Sequence, residues 1–139
     1  MSYGVPKGTR LLCAVSGGID SMVMLSLLNE MNYECVVAHC NFRLRGDESD
    51  GDEQFVREMC EKMYIPCFVN TFDTHKFADE TGLSIQMAAR KLRYDWFYEL
   101  AEKENCSYIA LAHNSDDQVE TAILNFARGT GIRGVSGMK

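Results

Sequence analysis

Apolar positions along the chain fall into short continuous runs separated by longer amphipathic stretches. Leu11 to Val15 is an unbroken apolar run of strand length, and Cys35 to His39 (CVVAH), Cys67 to Asn70 and Tyr108 to Ala112 (YIALA) repeat the pattern. Between them the period changes. Ser21 to Met31 carries Met24, Leu27, Leu28 and Met31 at the i, i+3, i+4, i+7 spacing of one helical face. Asp50 to Met63 does the same with Val56, Met59, Cys60 and Met63, and Pro66 closes that unit. Ser84 to Lys103 predicts a long helix striped by Ile85, Ala89, Leu92, Trp96 and Leu100, and a further helix is expected from about Asp116 to Arg128. The polar stretch from Thr71 to Gly82 reads as a mobile loop. Buried strands alternating with amphipathic helices make an α/β fold, a doubly wound parallel sheet with helices on both faces. Right-handed crossovers then carry every strand C-terminus to one edge, outside which ligands of such sheets bind.

Composition changes this picture little. The 139 residues are 46% hydrophobic and 24% charged, ordinary values for one globular domain. The six cysteines (Cys13, Cys35, Cys40, Cys60, Cys67 and Cys106) include no CxxC pair and sit mostly in apolar runs, so reduced core thiols of a cytoplasmic protein are expected. No run approaches the roughly 18 apolar residues that span a bilayer, which argues against a membrane partner. A net charge of −6 argues against a surface that binds nucleic acid by bulk electrostatics, although local basic patches remain open. The Gly-rich ending RGTGIRGVSGMK leads to the expectation that residues 1–139 are one catalytic domain cut from something longer.

Three stretches carry candidate chemistry, each following an expected strand. SGGIDS, Ser16 to Ser21, lacks the lysine of a Walker A loop and the spacing of GxGxxG. It offers backbone N–H groups, bared by Gly17 and Gly18, at the start of a helix whose dipole favours an anion. Asp20 is the odd member, because a carboxylate beside phosphate is repelled unless a cation bridges them. The competing reading makes Asp20 and Ser21 ordinary helix caps. AHNSDDQVET, Ala112 to Thr121, places Asp117, Glu120 and Thr121 on one face if it is helical, where two carboxylates can share a divalent ion. Ser115 and Gln118 also have capping-box spacing, and His113 is either a ligand contact or a strand-end residue. HCNFRLRG, His39 to Gly46, aims Arg43 and Arg45 the same way if extended, and the acids of Asp47 to Glu53 behind it read as a solvated run preparing a helix start. Within ARKLRY, Arg90 and Arg93 lie three apart and can face one anion or simply solvent.

Together SGGIDS, HCNFRLRG, ARKLRY and AHNSDDQVETAILNFARGTGIRG resemble the PP-loop ATP pyrophosphatases, and most closely the tRNA(Ile)-lysidine synthetases. The resemblance runs from about Leu11 to Met138 and implies an adenine nucleotide alpha hydrolase-like fold. It further implies ATP and Mg²⁺ as cofactors, a cytoplasmic site of action, and adenylation of the C2 oxygen of the wobble cytidine of an isoleucine tRNA with a CAU anticodon. The amine of free lysine then displaces AMP. On this resemblance Ser16, Gly17, Gly18, Ile19 and Ser21 hold ATP, with His39, Asn41 and His113 near the nucleotide. Asp20, Asp117 and Glu120 work with Mg²⁺, Arg93 stands near the activated intermediate, and Arg90, Arg43 and Arg45 are substrate contacts. A homodimer is compatible with it. The rivals are a tRNA 2-thiocytidine synthetase, which uses CxxC pairs that this chain lacks, and a non-catalytic nucleotide-binding module.

Overall fold

The computed structural model describes the backbone of residues 5–44, 46–115, 118–125 and 133–135, and side chains for 5–44, 46–112 and 121–124. Six strands form one sheet: β1 (Arg10–Ala14), β2 (Glu34–Asn41), β3 (Cys67–Thr71), β4 (Tyr108–Ser115), β5 (Gln118–Asn125) and β6 (Arg133–Val135). Their order is β3-β2-β1-β4-β5-β6, with β1 to β4 mutually parallel and β5 and β6 added antiparallel beyond β4. The helices are α1 (Ile19–Glu30), α2 (Asp47–Met63), α3 (Thr74–Thr81) and α4 (Ile85–Lys103).

Strand alternation sorts the core into two layers. Leu11, Cys13 and Val15 join Met24, Leu25 and Leu28 of α1 and Val56 and Cys60 of α2 on one face. Leu12, Val36, Ala38 and Ile109 lie on the other, against Phe97, Leu100 and Ala101 of α4. α3 packs in turn on α4. Each fully buried Leu of these layers contributes roughly 1.5–3 kcal/mol relative to an exposed one, so the core suffices to hold the strand ends in fixed register. All six cysteines are free, as their spacing predicts.

Three expectations are corrected. The stretch read as a helix from Asp116 to Arg128 contains strand β5, which lies along β4 with Ala112 opposite Thr121 and His113 opposite Glu120. The β-branched Val119, Thr121 and Ile123 alternate there, and Thr121 and Ile123 bury on one face while Leu124 packs into the opposite layer. A strand also occupies the hydrogen-bonding edge that β4 would otherwise leave open. Ser115 and Gln118 are therefore cross-strand partners and not a capping box. The segment read as a loop from Thr71 to Gly82 holds α3, capped by Asp73 through Lys76 N (3.2 Å) and ended by Gly82 at φ +75. Its amphipathic period was short and polar, and packing on α4 supplies what propensity lacked. The helical stripes are also rotated: Leu25 is buried in α1 where Leu27 is exposed, and in α4 Ala88, Phe97, Leu100 and Ala101 are buried in place of the expected stripe, of which only Leu100 remains.

Candidate phosphate and nucleotide site

The chain passes from β1 outward to β2 and β3 and then returns to place β4 on the other side of β1. That reversal opens a crevice beyond the strand C-termini. A cleft of about 190 Å³ lies there, walled by Val15 at the end of β1, Leu111 and Ala112 of β4, Cys40 of β2, and Arg93 and Phe97 of α4.

The turn from Ser16 to Ser21 closes one side of the cleft, and its hydrogen bonds run inward. Ser16 N donates to Ser21 Oγ (3.1 Å), Ser21 Oγ donates to Gly18 O (3.1 Å), and Gly18 N donates to Ser16 Oγ (3.3 Å). Gly17 bends the chain at φ +96, where a side chain is strained. Gly18 is the N-cap of α1 and, having no side chain, makes no capping hydrogen bond. Asp73 and Ser84, by contrast, cap α3 and α4 with their oxygens. The Ser21 hydroxyl bonds Ser16 N and Gly18 O and no N–H of α1, so the leading N–H groups of that helix can face an anion. Ile19 is 81% exposed beside them and Asp20 is half-buried in the first turn.

The end of β2 contributes His39 and Asn41, both buried. His39 Nδ1 lies 2.8 Å from Val15 O, and because a carbonyl only accepts, Nδ1 carries the proton. Asn41 donates to Asp50 Oδ1 (3.1 Å) and Glu53 Oε1 (3.0 Å) and accepts from Arg43 N (3.0 Å), which ties the loop after β2 to the start of α2. The bond from Asn41, helped by Arg57 and opposed by burial, holds the Glu53 carboxyl below its ordinary range. The acids after Gly46 do open a helix, with Asp47, Glu48 and Asp50 in the first turn of α2. Arg43 stands at φ +55, so the loop is not extended there, and Arg45 lies outside the described residues.

Across the cleft, α4 brings Arg90 and Arg93 to one ring, their guanidinium carbons 5.2 and 5.0 Å from the Tyr94 centroid. Arg93 Nε is buried without a partner among the described residues. Burial pushes the Cys40 thiol up to about 12, with the nearby Arg93 charge opposing that rise. Sequence reasoning missed Phe42, Asp52 and Tyr94. Phe42 stacks on Phe72 (5.5 Å) and Asp52 backs Gly17; Phe42 and Tyr94 lie within HCNFRLRG and ARKLRY, which was their available signal. Asp117 and the side chains of His113 and Glu120 lie outside the described residues, and β5 removes the single helical face on which Asp117, Glu120 and Thr121 were expected to meet.

The PP-loop domain profile matches residues 3–139. The chain belongs to the PP-loop family. Relatives of this PP-loop domain include the tRNA(Ile)-lysidine synthases of Porphyromonas gingivalis, 50% identical over 133 residues, and Bacteroides thetaiotaomicron, 48% identical over 130 residues. These matches cover 95% and 94% of this chain but 29% and 30% of the relatives. The tRNA(Ile)-lysidine synthase of Clostridium tetani is 42% identical, with 97% of this chain and 30% of that protein covered. The PP-loop chain thus spans about 30% of the length of the curated relatives it matches.

The turn suits phosphate oxygens through backbone N–H groups, and the cleft suits a flat apolar body between Val15, Leu111 and Phe97. Among the described residues no three His, Cys, Asp or Glu side chains gather into a metal cage. Mg²⁺ seldom needs one, being held by one or two carboxylates together with substrate phosphates. Asp20, a hard oxygen donor in the first turn of α1 beside the phosphate turn, fits that requirement.

Proposed function

We propose that the protein is an ATP-dependent tRNA-modifying ligase that makes lysidine at the wobble cytidine of tRNA(Ile) with a CAU anticodon. The observation that carries this reading is the name and identity of the relatives, supported by an uncapped phosphate turn at the switch point of the sheet. The C2 oxygen of the cytidine attacks the α-phosphorus of ATP and the bond to the β-phosphate breaks, releasing pyrophosphate. The amine of free lysine then attacks C2, and AMP leaves with the oxygen.

Ser16, Gly17, Gly18 and Ser21 bind and orient the phosphates, with Ile19 beside them and His39, Asn41 and His113 toward the nucleoside. Arg93, whose Nε is unpartnered among the described residues at the cleft, offers charge to the α-phosphate as pyrophosphate leaves. Arg90, Arg43 and Arg45 belong to the tRNA side. Asp20, with Asp117 and Glu120, is assigned to Mg²⁺, which supplies charge neutralisation on the phosphates when bound. Residues 1–139 act as the ATP-binding catalytic unit in the cytoplasm, as part of a protein that extends further and assembles as a homodimer. Among the described residues no helix is long and apolar enough to cross a membrane.

The test is incubation of the intact protein with ATP, Mg²⁺, radiolabelled lysine and the CAU-anticodon isoleucine tRNA. Label entering the tRNA is the expected result; sulfur transfer without lysine incorporation sinks the assignment. Asp20→Asn is expected to abolish the gain in ATP affinity that Mg²⁺ gives, while leaving affinity in EDTA unchanged. An unchanged gain on adding Mg²⁺ returns Asp20 to a structural role.

A further inference from the structure

At the N-terminal edge of the parallel strands, the edge opposite the cleft, two cysteines that the nucleotide site does not use meet side by side. α2 ends at Tyr64, whose left-handed backbone (φ +58) reverses the chain so that Ile65 N returns to Cys60 O (2.9 Å). Pro66 O then accepts from Val37 N (2.9 Å), and Cys67 opens β3 in register with Val37. The turn thus carries Cys67 back beside the end of α2, where the Cys60 S–H donates to the Cys67 sulfur. Both pack on one core layer, Cys60 at 1% exposure and Cys67 half-buried at its rim. One sulfur is therefore reachable from solvent, and the other stands behind it. The hydrogen bond from Cys60, opposed by burial, helped by the Arg57 charge and opposed again by Glu53, holds the Cys67 thiol below its ordinary range.

The second close pair, Cys13 and Cys35, lacks both properties. Its members are 0% and 5% exposed, and in the β1–β2 ladder Cys35 stands opposite Leu11, two residues from Cys13. Two residues of rise and one strand spacing hold their Cα atoms roughly 8 Å apart, beyond the about 7 Å that a disulfide can span. Burial also pushes the Cys40 thiol up to about 12 and the Cys106 thiol up to about 11.

We propose that Cys67 and Cys60 form a modification site for peroxides, with Cys67 as the attacking sulfur and Cys60 as the resolving one. The Cys67 thiolate attacks one oxygen of the peroxide: an S–O bond forms, the O–O bond breaks, and the departing hydroxide takes the proton that Cys67 gave to solvent. The Cys60 sulfur then attacks the Cys67 sulfur: the S–S bond forms, the S–O bond breaks, and the Cys60 proton leaves with that hydroxide as water. Two thiols lose two electrons, and hydrogen peroxide becomes two waters. The product ties the end of α2 to the start of β3 and draws on nothing in the nucleotide cleft.

The intact protein is reduced, freed of reductant, exposed to hydrogen peroxide, capped with N-ethylmaleimide under denaturing conditions and digested with trypsin. Cleavage after Arg57, Lys62 and Lys76 leaves the two cysteines on separate peptides, 58–62 and 63–76, so a disulfide joins them. That joined pair is expected as the main oxidised product, reversed by dithiothreitol and formed about tenfold faster than any oxidation of Cys40 or Cys106. In Cys60→Ser, Cys67 is expected to stop at a sulfenic acid captured by dimedone; in Cys67→Ser, Cys60 should stay reduced. Wild-type Cys67 that reaches sulfinic acid unjoined, joins another cysteine, or oxidises no faster than Cys40 overturns the site. Equal joining of Cys13 to Cys35 overturns the contrast on which it rests. If either variant melts early, the wild-type peptide map decides alone.

Discussion

Gly17→Ala tests whether the phosphate turn is built as described, because the residue combines a left-handed backbone with a close neighbour. At φ +96 a non-glycine residue is strained by about 1–3 kcal/mol. An added Cβ also comes within 3.3 Å of Asp52 Cβ and 3.5 Å of Asp52 O and Val56 Cγ2. Those atoms belong to α2, and Val56 is fully buried, so they yield only by moving the helix against the sheet. Against this, alanine narrows the unfolded ensemble by about 0.4–1 kcal/mol. The net loss is about 2 kcal/mol. Two neighbours calibrate it. Gly46 has φ +56 and ψ −119, outside the left-handed helical well, with nothing within 4 Å of an added Cβ, so Gly46→Ala should lose stability through backbone strain alone, by about 1–3 kcal/mol. Gly18 has φ −77 with Ser16 Oγ at 3.5 Å, so Gly18→Ala should change stability by less than about 0.5 kcal/mol. Urea denaturation of the wild type and the three variants measures the order directly, provided the slopes agree. A Gly17→Ala protein no less stable than Gly18→Ala refutes the turn. The same variant should lose affinity for ATP and pyrophosphate alike, since the displaced groups are backbone donors to phosphate.

The bond between Asn41 and Glu53 makes stability depend on pH. Because the folded Glu53 value lies below its unfolded one, the associated stabilisation is present above the ordinary glutamate range, near pH 4.3, and is lost as pH falls through the folded value. Asn41→Leu should therefore be further from wild-type stability at pH 7 than at pH 3, with a constant gap across urea titrations counting against the assignment. Cysteine reactivity should also sort by environment. Burial holds Cys40 near 12, whereas a hydrogen bond from Cys60 lowers half-buried Cys67, so brief iodoacetamide treatment at pH 8 followed by peptide mass mapping should label Cys67 first. Cys40 labelled as fast as Cys67 would contradict that.

Sequence legibility followed how strongly one period outweighed another. β1 to β4 and α4 were readable because unbroken apolar runs of three to five residues, or nineteen residues opened by a Ser cap, admit one structure. The stretch QVETAILN admits two. Val119, Ala122 and Ile123 suit a helix, whereas Val119, Thr121 and Ile123 alternate as a strand, and only the unpaired edge of β4 decides between them. That pairing is a tertiary fact invisible to local pattern, and it took with it the expected helical face of Asp117, Glu120 and Thr121.

The same distinction separates what could be read at the site. SGGIDS announced a phosphate turn by composition, yet the hydrogen bonds that close it, Ser21 Oγ with Ser16 N and with Gly18 O, exist only in the folded turn. His39 shows the limit more sharply. Its place at the end of a buried strand is legible as a strand-end histidine and no more. Its chemical character comes from Val15 O, which arrives from the neighbouring parallel strand and consumes the Nδ1 proton. A contact made across the sheet thus distinguishes two ring nitrogens that the sequence leaves interchangeable.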